Sequence, residues 1–382
     1  MSKKFNRVMN IAKAIGIFAI VARHTCWDIS GEFFTCRSWY VPLFFFISGY
    51  FFKAELFQKP DIIKQYINYL KNIIRKYFSR FYAYHFFYGG MTWLVYILFQ
   101  RVYGELPDLK NLTIFALHSP FSFSAPNWFL AQLGISLAFF AFVMAFAKKF
   151  IKKDFHAILI FLPLAIASIM LAKDNFDIAT GSEKILIRTL ISAFYIYGGY
   201  LYRNHLEQKI KFDINTLLKV MCLQIILLLS CGNNINLDIH LGRLWHNISP
   251  LVAPFTGIYC VIFASKLLAP LVKEGSIVDK IGRNTLHIMA NHIFVIFLLE
   301  VSILALDGKL STELPKNLIC DFYKMEKYKF LYAFLSVIIC TYIGEILNFT
   351  GKIIKNKLTE FARTVILKSS LQQNDVQEAP LK

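Results

Sequence analysis

The chain has 382 residues, of which 56% are hydrophobic and only 17% charged, and its formal net charge is +18 at pH 7. That balance leaves too little polar surface to cover the core of a soluble protein of this size, so it excludes a soluble globular enzyme and indicates lipid as the solvent. The positive charge does not indicate nucleic-acid binding, because the basic residues lie in short clusters between apolar runs. The seven cysteines are scattered singly, so no metal site is expected.

The first apolar stretch follows basic residues, as it does in a signal peptide. However, Lys13 interrupts the stretch, and Arg23 and His24 follow it without a small-residue cleavage site. This pattern predicts an uncleaved first membrane helix.

A membrane-crossing helix needs roughly 20 mostly apolar residues, and about ten stretches meet that requirement. Lys and Arg are concentrated in the segments that share a side with the N-terminus, which predicts cytoplasmic termini. We predict an all-α integral membrane protein, with a helical bundle over residues 1–360 and a disordered cytoplasmic tail over 361–382. The apolar runs lie near 9–27, 38–57, 81–100, 127–147, 155–172, 185–202, 215–231, 248–272, 284–304 and 329–349.

Residues 61–81 form a different kind of element. Apolar side chains such as Ile63, Ile67 and Ile74 recur at helical spacing, while Lys and Asn side chains occupy the other faces. The pattern predicts an amphipathic helix that lies on the inner leaflet and leads into the third span.

The first span carries two ionisable residues inside or at the end of its apolar run, Lys13 and His24. Their spacing of eleven residues places them about 16 Å apart along a helix and within about 20° of the same face. An imidazole can serve as a general base or a nucleophile near neutral pH, and a lysine can meet an anion. The alternative is that Lys13 reaches to the inner headgroups and His24 lies at the outer interface.

Residues of three other spans also stand out. Ser48 and Gly49 in the second span allow close approach of another helix, or leave room for a ligand. Trp128 at the start of the fourth span is typical of an interfacial anchor. The ninth span holds several polar residues, which serve either packing or function: Asn284, His287, Asn291 and His292.

These dispersed motifs together resemble the acyltransferase-3 family of membrane acyltransferases, and most closely its fucose 4-O-acetylase-like branch. The resemblance extends over residues 10–292 in the order of the family's motifs. Its motifs are Asn10-Ile-Ala-Lys13-Ala-Ile-Gly16 followed by His24, Pro42-Leu-Phe-Phe-Phe-Ile-Ser48-Gly49, Trp128-Phe-Leu, and Ile281-Gly-Arg-Asn284-Thr-Leu followed by His292.

The resemblance implies an O-acetyltransferase of the bacterial inner membrane that moves an acetyl group from cytoplasmic acetyl-CoA to a sugar hydroxyl. The acceptor would be a cell-surface glycan, such as lipopolysaccharide or capsule, handled at the outer face or linked to a lipid. By the same resemblance His24 is the catalytic residue and Lys13 its partner, placed to meet the phosphates of CoA. The residues implied in the acceptor site are Ser48, Trp128, Asn284 and His292.

The sequence also departs from the family's pattern. Asn10 stands where an acidic residue is usual, which would weaken the orientation of Lys13. The basic residues Arg75, Lys76 and Arg80 surround the place of an Arg-x-x-Arg motif without reproducing it. We expect these three side chains to bind the CoA phosphates.

Two competing classes stay open on the residues alone, a transporter and a non-catalytic membrane subunit in which His24 could be replaced without loss of function. Buried His and Lys side chains also form proton relays in transporters, so a glycan exporter is one alternative to an enzyme. The loop at 233–246 is rich in Asn, His and Trp, and is either a sugar-facing surface or an ordinary solvated loop.

Overall fold

A computed structural model of the protein describes residues 6–25, 39–53, 61–102, 122–151, 153–172, 181–232, 247–310 and 325–377, with isolated positions between them. Within these ranges the chain forms helices and no strands. The α-helices are α1 (Arg7–His24), α2 (Tyr40–Tyr50), α3 (Ile62–Ile73), α4 (Ser79–Phe99), α5 (Trp128–Phe150), α6 (Ile158–Leu171), α7 (Gly181–Leu201), α8 (Ile214–Cys231), α9 (Ser249–Leu268), α10 (Ile277–Arg283), α11 (Thr285–Leu306) and α12 (Met325–Gln377).

Seven helices among the described residues are long and apolar enough to cross a membrane. They coincide with the last seven apolar runs of the sequence, from α5 to α12 with the short α10 left out. The first three predicted spans are not among them: α1 carries three cations, α2 has only 11 residues, and α4 contains four Tyr side chains and one His. The count of about ten spans therefore stays a prediction.

The segment predicted to be amphipathic forms α3 and continues into α4 through a π-helical turn, Ile74–Phe78. Its bundle side packs against α5, where the hydroxyl of Tyr66 donates to the carbonyl of Ala138 at 3.3 Å, and Ile73 is buried. Ile63 and Ile67 are exposed on another side. Location of the exposed side in the inner leaflet stays a prediction.

The closest helix crossing joins α2 and α7 through two glycines. A Cβ atom on Gly49 would lie 1.8 Å from the carbonyl oxygen of Ile196, and one on Gly199 would lie 1.8 Å from that of Phe46. The two backbones can meet only because neither residue has a side chain. The close approach predicted for Gly49 is confirmed.

Helix α1 lies inside the bundle, in contact with α2, α9, α10, α11 and α12. Its contact with α10 is also close, because a Cβ on Gly282 would lie 2.2 Å from the carbonyl oxygen of Asn10. Lys13 and His24 therefore lie on a helix that contacts five others, and both side chains are partly exposed.

The last helix contains one residue with non-helical backbone angles, Tyr328, and then continues to Gln377. The helix therefore extends into the segment 361–382, where only its backbone is described. Residues 378–382 lie outside the described ranges. The division of the chain at residue 360 stays a prediction.

Candidate functional site

Two histidines from different helices meet inside the bundle. His24 is the last residue of α1 and is partly exposed, whereas His292 on α11 is fully buried. Their ring centroids lie 5.0 Å apart with an interplanar angle of 46°. These are two of the residues that the sequence singled out, although they are 268 positions apart in the chain.

The hydrogen bonds of His292 define its tautomer. Its Nδ1 lies 3.1 Å from the carbonyl oxygen of Ile288 and 2.9 Å from that of Met289. Carbonyl oxygens only accept, so Nδ1 carries a proton, and in the neutral ring Nε2 carries a lone pair. That Nε2 is buried and has no hydrogen-bond partner within the part of the chain that the structure describes. It is a base without a proton donor, beside His24.

Lys13 lies half-buried on α1, one turn beyond Asn10. Asn10 stands where the family usually has an acid, and its amide donates to Asp279 of α10, at 2.6 Å to Oδ1 and 2.9 Å to the carbonyl oxygen. The same carboxylate forms an ion pair with Arg283 at 2.8 Å. Burial acts to lower the pKa of Arg283, but its bonds to Glu274 and Asp279 raise the pKa above its usual value. A carboxylate therefore lies beside this turn of α1, but it is that of Asp279 on α10 rather than one on α1 itself.

A second polar cluster lies between α4, α11 and α12. The hydroxyl of Tyr84 donates to Nδ1 of His287 at 2.6 Å, and Nε2 of His287 donates to Oδ1 of Asn348 at 3.3 Å. Asn348 in turn donates to Oδ1 of Asn284 at 2.9 Å, and Asn284 donates to Glu345. Asn284 is therefore held by partners within the protein, as is His287.

The three basic residues proposed for CoA diverge around the π-helical turn. Arg75 is exposed and donates to Asn72 at 3.3 Å, and the Lys76 ammonium lies 4.8 Å from the centre of the Tyr77 ring. Arg80 instead lines a cavity between α4, α11 and α12. Only the first two share a solvent-facing position.

The other two sequence-predicted residues have contacts elsewhere. The hydroxyl of Ser48 donates to the carbonyl of Phe44 at 2.8 Å, one turn back in the same helix. Trp128 lies under Arg188, whose guanidinium carbon is 4.7 Å from the ring centre. Arg188 is only 3% exposed, and its Nε donates to the carbonyl of Ile239 at 3.1 Å.

Sequence reasoning missed several polar residues of the bundle, not all of which are buried. An arginine inside the apolar run of α7 and a glutamate inside that of α11 are costly in a membrane, and that cost was the available signal. The tyrosines of α4 gave no such signal, because tyrosine is common in membrane helices. The missed residues are Tyr84, Arg188, Asp279, Glu300, Tyr332 and Asn348.

The fold and this interior define a class: a multi-pass membrane protein whose helices enclose ionisable side chains. The chain matches the model of the acyltransferase domain family from residue 6 to residue 348. It therefore belongs to the acyltransferase-3 family, and is a membrane acyltransferase with an acyl donor and an acceptor. No curated protein and no solved structure matches the chain.

Proposed function

We propose that the protein transfers an acetyl group from cytoplasmic acetyl-CoA to a sugar hydroxyl of a bacterial cell-surface glycan, within the inner membrane, as in the fucose 4-O-acetylase-like branch. The observation that carries the proposal is the pair of imidazoles of His24 and His292, 5.0 Å apart. Acetyl transfer to a hydroxyl requires a base that takes the proton of that hydroxyl. One imidazole of the pair can serve as this base, and the other can orient it.

In the proposed reaction, His24 takes the proton of the sugar hydroxyl while the oxygen attacks the thioester carbonyl. The C–O bond forms, the C–S bond breaks, and the proton passes from His24 to the sulfur of CoA. Rotation of the partly exposed His24 ring brings its N–H to the unpaired Nε2 of His292. That bond turns the other nitrogen of His24 toward the hydroxyl and stabilises the imidazolium, as a carboxylate does in other dyads.

The substrates would approach this pair from the two membrane faces. Lys13, Arg75 and Lys76 supply cations for the phosphates of CoA on the cytoplasmic side. Trp128 with Arg188 offers an aromatic surface beside a hydrogen-bond donor for the carbohydrate. Ser48 stays a proposed acceptor contact, whereas Asn284, fully bonded inside the protein, is proposed to position α11 relative to α12.

The test is transfer of label from radioactive acetyl-CoA to glycan by the purified protein in liposomes. His24→Ala should abolish transfer while the protein stays folded and inserted, and His156→Ala, which removes an exposed histidine, is the matched control. Wild-type transfer by His24→Ala would overturn the assignment, and export of unlabelled glycan would favour the transporter. In the same assay Lys13→Ala should raise the KM for acetyl-CoA, and an unchanged KM removes Lys13 from the donor site.

A further inference from the structure

A cavity of about 660 Å³ lies between α4, α11 and α12. Its volume falls within the range of small-molecule sites, which is roughly 300 to 1,000 Å³. Most of its lining is hydrocarbon from α11 and α12, including Phe294, Leu298, Leu299, Ile339 and Ile343. Along α11 the lining extends from His287 to Ser302, a rise of about 22 Å.

This cavity is separate from the histidine pair. None of its lining residues belongs to α1, so His24 does not contribute to it, and His292 is not among the residues of α11 that line it. A thioester bound along this cavity would not present its carbonyl to His24. The cavity is therefore suited to a ligand other than the acyl donor.

The cavity has one polar end, formed by Arg80, Tyr84, His287 and Asn291. Three of these satisfy one another or their neighbours: Tyr84 bonds to His287, and Asn291 accepts from Tyr88 and donates to the carbonyl of His287.

The guanidinium of Arg80 differs, because within the described ranges it forms no hydrogen bond or ion pair. A partly buried guanidinium without a carboxylate partner is available to bind an anion, and its planar donors suit a phosphate.

The open side of the cavity is apolar. Phe87, Leu298 and Leu347 line it and are each exposed by 44% or more of their surface. In a chain with seven helices suited to a bilayer, such side chains face hydrocarbon rather than water. A ligand can then enter sideways from the membrane without leaving lipid.

We propose that this cavity binds an anionic membrane phospholipid, with the phosphate of its headgroup on Arg80 and one acyl chain along α11. The charge at one end and the hydrocarbon lining over the rest are complementary to such an amphiphile. The site is distinct from the acyl-transfer reaction, and it assigns to Arg80 a ligand other than CoA.

The test uses purified full-length protein in phosphatidylcholine nanodiscs that contain a trace of photoactivatable phosphatidylglycerol. Illumination should attach the lipid to peptides of α4, α11 and α12, and Arg80→Gln should reduce that labelling about tenfold, the loss of one charge-assisted contact. Arg75→Gln removes an exposed arginine outside the cavity and should leave labelling unchanged. A second variant, Leu299→Trp, fills the cavity and should also reduce labelling.

Equal labelling by photoactivatable phosphatidylcholine and phosphatidylglycerol, or unchanged labelling in Arg80→Gln, would overturn the headgroup assignment. Labelling confined to other helices would overturn the site itself. Acetyl transfer is measured on the same samples. His24→Ala should lose acetyl transfer and keep lipid labelling. Because the two readouts are independent, either proposal can fail without the other.

Discussion

Helix α11 presents two polar sides that differ in one respect. On the side toward α4 and α12, His287 and Asn291 have partners for both of their side-chain polar atoms. On the side toward α1, His292 keeps a buried nitrogen that has no partner among the described residues, and it lies beside His24. A buried acceptor left unpaired costs about 1–3 kcal/mol. The comparison teaches that polar residues of one helix can serve structure where their hydrogen bonds are satisfied and chemistry where they are not.

The largest expected effect is a loss of activity when the polar side toward α1 is changed. His292→Leu should lower kcat for acetyl transfer by roughly 10²–10⁴-fold, the usual contribution of a general base and its orientation. The KM for the acceptor should change little, because His292 acts through His24. Thermal stability should be retained, since the carbonyls that His292 contacts lie within a helix. A variant with normal kcat would remove the proposed distinction between the two sides.

The opposite response is expected on the other side of the helix. His287→Leu leaves the hydroxyl of Tyr84 and the amide of Asn348 without their partner. The free energy of unfolding should fall by about 1–3 kcal/mol, while kcat per folded molecule stays near that of the wild type. Denaturation in detergent with activity measured on the folded fraction tests this. A fall in kcat as large as that of His292→Leu would show that both sides take part in the reaction.

A smaller effect is expected at Gly344, which lies against the satisfied side. A Cβ there would lie 2.7 Å from Oδ1 of Asn284 and 3.0 Å from Cβ of His287. Gly344→Ala should therefore lower stability by about 1 kcal/mol through overpacking, with kcat unchanged. Gly90→Ala is the control, because a Cβ on Gly90 meets nothing within 4 Å and alanine favours the helix. Equal melting temperatures for the two variants would contradict the contact.

Parts of this structure are predictable because they depend on local sequence. The last seven apolar runs each coincide with a membrane-length helix, since run length and hydropathy decide whether a segment can cross a bilayer. The Ser48–Gly49 pair predicts a close helix approach, and Gly49 makes one. The choice of Lys13 and His24 comes from their cost in lipid and from family resemblance, and their roles stay predictions.

What only the tertiary structure decides is which distant residues meet. Asn10 gives no sign that Asp279 supplies an acid beside it, and the sequence of the ninth span does not reveal which of its polar groups are satisfied. Those facts depend on how helices rotate and cross, which is set by packing among all of them rather than by the composition of any one. The sequence alone determined a helical membrane protein with costly ionisable residues. The packing of α1 against α11 decided that two of them, His24 and His292, lie ring to ring.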